Sequence, residues 1–157
     1  PARIDAASLL RRKVDSLFSI RGDANIVIMG DFNDNPDNRS ISLTLGAGAP
    51  DQDCSEKRLY NLFSSHLKEL RRGTYFFQGN WELPDQIIVS GNLLRQENPL
   101  YIREGRGYIF SPDFLLREEK SSGVKRPYRT YYGPRYIGGF SDHLPVYADL
   151  EFNSSGI

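Results

Sequence analysis

At 157 residues, with 20 Lys plus Arg set against 20 Asp plus Glu, the chain has room for one globular domain and carries no net field that would gather a polyanion. Its one cysteine, Cys54, excludes an intrachain disulfide framework and a cysteine-built zinc site, and no apolar run approaches the roughly 20 residues of a membrane-spanning helix. Nothing in these features specifies a compartment, and any function must reside in local clusters.

In chain order, Ile4, Ala7, Leu10, Val14, Leu17 and Phe18 recur at spacings of three and four and predict a helix over 4–18 with these residues on its buried stripe. Arg21-Gly22-Asp23 ends it, and the apolar run 25–30 predicts a strand covered on both faces. The polar residues 31–38 form a loop at that strand's end, and Pro36-Asp37 with Ser40, Ile41 and Leu45 predicts a short helix. Residues 46–53 read as a turn-rich loop. Leu59, Leu62, Phe63, His66, Leu67 and Leu70 give a second helical stripe, closed by Arg71-Arg72-Gly73. Residues 74–77 and 86–89 then read as the two strands of a hairpin around a turn containing Asn80. Residues 101–109 show no clear period, and the polar stretch 117–134 reads as a surface loop. Residues 144–152 alternate as one final strand, and 153–157 read as a frayed tail. A helix, a strand, further helices and then several strands predict a layered α+β fold.

The residues with chemical potential fall into three clusters. In Gly30-Asp31-Phe32-Asn33-Asp34, Asp31 and Asn33 stand two apart in extended chain and point to one side. The carboxylate there can bind a hard cation, and the amide can orient a phosphoryl oxygen or a water. The same residues also suit an Asx-rich turn capping the next helix, and both readings stand at this point. Asp85 opens an otherwise apolar strand, where burial is costly without a partner. His143 is the candidate partner, and an exposed Pro84-Asp85 turn beside a merely structural Trp81 is the alternative. The third cluster, Ser141-Asp142-His143-Leu144-Pro145, sets a carboxylate beside an imidazole, which can serve as base or cation. The other histidine, His66, lies on a predicted helical stripe and reads as a packing residue.

Taken together and in order, the segments Ile26-Val27-Ile28-Met29-Gly30-Asp31-Phe32-Asn33-Asp34, Gly73-Thr74-Tyr75 with Trp81 and Asp85-Gln86-Ile87-Ile88-Val89-Ser90, and Ser141-Asp142-His143-Leu144-Pro145-Val146 resemble the endonuclease/exonuclease/phosphatase family. That family comprises DNase I-like nucleases and other metal-dependent phosphoesterases. The resemblance implies part of a four-layer α/β/β/α sandwich with mainly antiparallel or mixed sheets, and Mg²⁺ or Mn²⁺ as cofactor. It implies that Asp31 positions or activates the attacking water and that Asn33 contacts the phosphate. It gives Asp85 the task of orienting His143, which contacts the scissile phosphate or acts as base. Asp142 becomes a metal-side ligand, and Trp81 joins Asn33 and His143 in binding substrate.

The match is to the family's C-terminal portion, over residues 1–152. The family's N-terminal asparagine, its principal metal-binding glutamate and an upstream histidine or tyrosine have no counterpart here. The expectation is therefore a chain that is inactive alone, with an apolar sheet face covered by a missing N-terminal half or by a second chain. A phosphorylated small molecule, a phospholipid or a nucleic acid remains open as substrate. The basic, tyrosine-rich segment 117–136 bears on the last of these, although the neutral charge leans away from DNA. A non-catalytic binding module of the same fold is the competing reading, and the intact set of Asp31, Asn33, Asp85, Asp142 and His143 speaks against it.

Overall fold

The computed structural model describes residues 2–50, 54–66, 72–119 and 123–153. Helix α1 (Ala2–Ile20) leads through a turn into β1 (Val27–Asp31). A π-helical turn, Ser40–Leu45, is followed by β2 (Ala47–Gly48), β3 (Leu59–Asn61), a hairpin of β4 (Tyr75–Phe77) and β5 (Asn80–Glu82), and the longest strand, β6 (Asp85–Ser90). The remaining strands are β7 (Leu100–Ile102), β8 (Tyr108–Ile109), β9 (Leu116–Glu118), β10 (Lys125–Pro127), β11 (Tyr131–Tyr132), β12 (Arg135–Tyr136), β13 (Val146–Tyr147) and β14 (Leu150–Phe152).

A four-stranded sheet in the order β1-β6-β3-β2 is the frame, antiparallel except between β2 and β3. Two-stranded antiparallel ladders pair β4 with β5, β7 with β14, β8 with β13, β9 with β10 and β11 with β12. The fold is thus α+β with mostly antiparallel sheet. Its core divides at β6, because successive strand side chains point to opposite faces. Ile88 packs with Ala7, Val14 and Phe18 of α1 and with Ile41, Leu45 and Leu59. Ile87 and Val89 face the other way, onto Leu62, Phe63, Leu83, Leu93 and Ile102. Each of the Val, Leu, Ile and Phe side chains among these contributes about 1.5–3 kcal/mol by leaving water.

Several sequence expectations are corrected. Helix α1 forms, but Ile4 and Leu17 are exposed and its stripe narrows to Ala7, Val14 and Phe18. Strand β1 lies at the sheet edge and is covered on one face only. Ile28 packs beneath α1, whereas Val27 and Met29 are 46% and 72% exposed. On the face away from α1, Ile87 and Val89 are covered by the chain itself, and the neighbouring Val27 and Met29 are open. Residues 59–61 form a strand between β6 and β2, not a helix, and residues 67–71 lie outside the described residues. His66 is buried, with Nε2 2.8 Å from the Gly107 carbonyl.

The predicted hairpin changes partners. Strand β4 pairs with β5 across a turn at Gln78 and Gly79, both at positive φ, while β6 pairs with β1 and β3. Within the stretch 117–134, residues 117–118, 125–127 and 131–132 are paired strand, and 144–152 divides into β13 and β14, each with its own partner. Asn153 is tied to the Pro99 carbonyl, and 154–157 lie outside the described residues.

Candidate active site

The carboxyl end of β1 delivers Asp31 to the rim of the frame. Gly30, one residue before the end of β1, has φ 148°, a conformation that disfavours a side chain. In the antiparallel register Asp31 stands directly opposite Asp85, the first residue of β6, so the two carboxylates share a sheet face. Like charges so placed repel, and the arrangement is stable only if something positive or hydrogen-bonding engages one of them. Asp85 has two such partners. Its Oδ2 lies 2.7 Å from His143 Nδ1 and accepts the Thr74 hydroxyl at 2.5 Å.

His143 arrives on a separate segment fixed by backbone bonds. An isolated bridge pairs it with Tyr75, and the amide of the buried Leu144 donates to the Thr74 carbonyl at 2.8 Å. Its own amide donates to Ser141 Oγ at 3.1 Å. The imidazole stacks on the Tyr75 ring with centroids 4.6 Å apart, and its side chain stays 26% exposed. With Nδ1 committed to Asp85, Nε2 is the nitrogen left for a ligand. Gly73 makes this close assembly possible, because a Cβ there would stand 1.9 Å from the Glu82 carbonyl oxygen.

The loop after β1 is braced from below. Asn33, at φ 53°, donates its amide N–H to Asp31 Oδ1 at 2.8 Å, the Asx turn foreseen as one reading of the cluster. Its carbonyl accepts from Arg3, which also pairs with Asp34. Asn35 Oδ1 accepts from the Leu83 amide at 2.7 Å. Beneath lies Gln86, fully buried, whose Nε2 donates to the carbonyls of Asp34 at 2.5 Å and Leu83 at 2.8 Å while Oε1 accepts from Asn61 at 2.6 Å. Gln86→Leu would strand the Asn61 amide and the Asp34 carbonyl, and should lower unfolding free energy by about 2–3 kcal/mol. Chemical denaturation reads this, and a loss under about 0.5 kcal/mol would show the brace to be dispensable.

Of the six residues singled out from sequence, Asp31, Asp85 and His143 converge, with Asn33 on the adjoining turn and Asp142 next to His143. Asp142 is exposed and makes no hydrogen bond or ion pair among the described residues. Trp81 is not brought to His143. It pairs with Phe76 and packs edge-on against that ring at 5.3 Å, on the hairpin face opposite to Tyr75. Thr74, Tyr75 and Gln86 stood inside the matched segments, but no role could be read for them. Their partners, Asp85, His143 and Asn61, are distant in sequence and appear only on folding.

The exposed carboxylates of Asp31 and Asp142 are hard oxygen donors of the type Mg²⁺ takes. Among the described residues, however, no three His, Cys, Asp or Glu side chains group closely enough to hold an ion. The residues present fit part of a metal's shell. Nor is any helix among the described residues long and apolar enough to cross a membrane.

No curated protein matches the chain. Among solved structures, an endonuclease/exonuclease/phosphatase family protein from Bacteroides thetaiotaomicron is similar over 98% of this chain, at 18% identity and a TM-score of 0.51. A mannosyl-6-phosphatase from Bacteroides thetaiotaomicron VPI-5482 aligns over 96% at 18% identity, with a TM-score of 0.47. The chain spans 46% of the length of each. A family model described as endonuclease/exonuclease/phosphatase matches residues 1–152, nearly the whole sequence. With its fold and its sequence pointing the same way, the chain belongs to the endonuclease/exonuclease/phosphatase family.

Proposed function

We propose that the chain carries the Asp31, Asp85 and His143 part of a metal-dependent phosphoester hydrolase, complete only when ligands from outside residues 1–157 join Asp142. The observation that carries this reading is the pair of facing carboxylates. One of them, Asp85, is committed to an imidazole, and the other, Asp31, keeps an oxygen without a partner among the described residues. A purely structural pairing would gain nothing from two acids set opposite each other.

In the proposed reaction a water oxygen attacks phosphorus while the ester P–O bond breaks. Asp31 accepts the water's proton, and the leaving oxygen takes up a proton from solvent. As an imidazolium whose Nδ1–H is held by Asp85, His143 turns its second N–H, on Nε2, toward a non-bridging oxygen, where charge builds in the transition state. The Asn33 side-chain amide orients the same phosphoryl group. A bound Mg²⁺ or Mn²⁺ would supply Lewis-acid stabilisation of the phosphoryl oxygens.

The test is turnover by the full-length protein, with Mg²⁺, on p-nitrophenyl phosphate, bis-p-nitrophenyl phosphate, plasmid DNA and phosphoinositides. Hydrolysis of at least one is expected. Asp85→Asn should lower its kcat about 10²-fold with little change in KM, because an amide neither fixes the tautomer nor supports charge on the ring. Inertness toward all four would sink the hydrolase reading in favour of a binding module.

A further inference from the structure

Beyond the His143 cleft, we infer that the β9–β10 and β11–β12 hairpins form a second pocket that binds the remote anionic group of a small phosphorylated substrate. The word substrate rests on the hydrolase reading above; the binding of an anion does not. The pocket is a cavity of about 420 Å³ walled by Arg117, Arg126, Arg129, Arg135, Tyr128 and Tyr132.

The charges there are unevenly matched. Lys125 is engaged by Asp113 at 2.8 Å, a hydrogen bond that raises the ammonium pKa and lowers that of the carboxyl. Arg126 is engaged by Glu119 at 3.1 Å. Arg117, Arg129 and Arg135 have no carboxylate partner among the described residues. Arg117 is instead held with its guanidinium carbon 5.4 Å from the Tyr128 ring centroid, which fixes its direction and leaves its N–H groups free for an acceptor. Nε of Arg129 is buried and has no hydrogen-bond partner among the described residues. That nitrogen is enclosed and is not itself reached from the cavity, so the attraction for an acceptor entering from outside comes from the guanidinium groups of Arg117, Arg129 and Arg135 that line it without a carboxylate partner among the described residues. Planar guanidinium forks suit phosphate or carboxylate oxygens.

The pocket is also tied to the cleft. Tyr128 O accepts from the Phe140 amide at 2.7 Å, and Thr130 Oγ1 donates to the Phe140 carbonyl at 2.8 Å. Phe140 immediately precedes Ser141-Asp142-His143. On its other side β10 lies against β4, whose Tyr75 carries the His143 ring. The pocket wall and the His143 site thus stand on segments packed against each other. Glu118 and Glu119 also line the pocket, and the chain has no net charge, which disfavours a long phosphate backbone and favours a compact ligand of the size the cavity admits.

Calorimetric titration of the full-length protein in EDTA with inorganic pyrophosphate tests the pocket without catalysis. Arg129→Met and the exposed Arg135→Met should each weaken binding about tenfold or more, and Arg21→Met, which removes an exposed arginine beyond the end of α1, should leave it unchanged. Unchanged affinity in a folded Arg135→Met protein, or an equal loss in Arg21→Met, would overturn the assignment. Kinetics test the substrate half. Arg135→Met should raise KM for a hexose bisphosphate about tenfold and leave p-nitrophenyl phosphate unaffected. An equal KM for the bisphosphate overturns that half. Absence of any turnover with pyrophosphate binding intact would instead mark failure of the hydrolase reading. Oligonucleotides that bind more tightly with each added nucleotide, and lose this in the same variants, would replace the small ligand with a polymer.

Discussion

His143→Ala should lower kcat about 10³-fold or more on whichever phosphoester the full-length protein hydrolyses, with the fold intact. The imidazole is the one group at the site that can present an N–H to a phosphoryl oxygen while resting on a carboxylate, with Nδ1 2.7 Å from Asp85. Alanine removes that donor and leaves Asp85 its Thr74 hydrogen bond, so the buried side of the site is not wholly stripped. The backbone bridge to Tyr75 and the Leu144–Thr74 bond do not involve the ring, and the thermal midpoint should move by only a few degrees. Because Asp85 acts through the ring, the double variant with Asp85→Asn should be no slower than His143→Ala alone. Losses that multiply would show that Asp85 has a separate role. Retention of a tenth or more of wild-type kcat would remove His143 from the machinery.

How much of this was legible in the sequence depends on which residues signal locally. Asp31 could be placed because an apolar strand is cut short by glycine and followed by an Asx turn, a pattern contained within nine residues. The Asp85–His143 pairing could be suspected because a carboxylate opening an apolar strand requires a partner, and the chain offers two histidines. Strand β3 was not legible. Leu59, Tyr60 and Asn61 are all buried, so no alternation marks them, and the chance spacing of Leu59, Leu62, Phe63 and His66 mimics a helix. The hairpins between 116 and 136 were missed for the opposite reason. Their strands are two or three residues long and largely exposed, so neither face is written in apolar residues. The basic, tyrosine-rich character of 117–136 was legible, but that Arg117, Arg126, Arg129 and Arg135 gather with Tyr128 and Tyr132 around one cavity emerges only on folding.

Chelation should have the other large effect. Turnover by the full-length protein is expected to fall at least about 10³-fold in EDTA and to return with Mg²⁺, since the transferred phosphoryl group carries charge that this chain's residues neutralise only in part. In the proposed reaction His143 and Asn33 offer donors to it, while Asp31 and Asp142 add negative charge that no cation among the described residues offsets at close range. Asp142 is exposed and otherwise unengaged, so its replacement should spare folding and act on metal affinity. Asp142→Asn should raise the Mg²⁺ concentration for half-maximal rate about tenfold or more, with rate recovered as Mg²⁺ is increased. His143→Ala should not be rescued in this way, because in the proposed reaction its missing group donates to the phosphate and does not hold the metal. Full activity in EDTA would end the metal-dependent reading. Rescue of His143→Ala by Mg²⁺ would reassign the imidazole from the phosphate to the metal's surroundings.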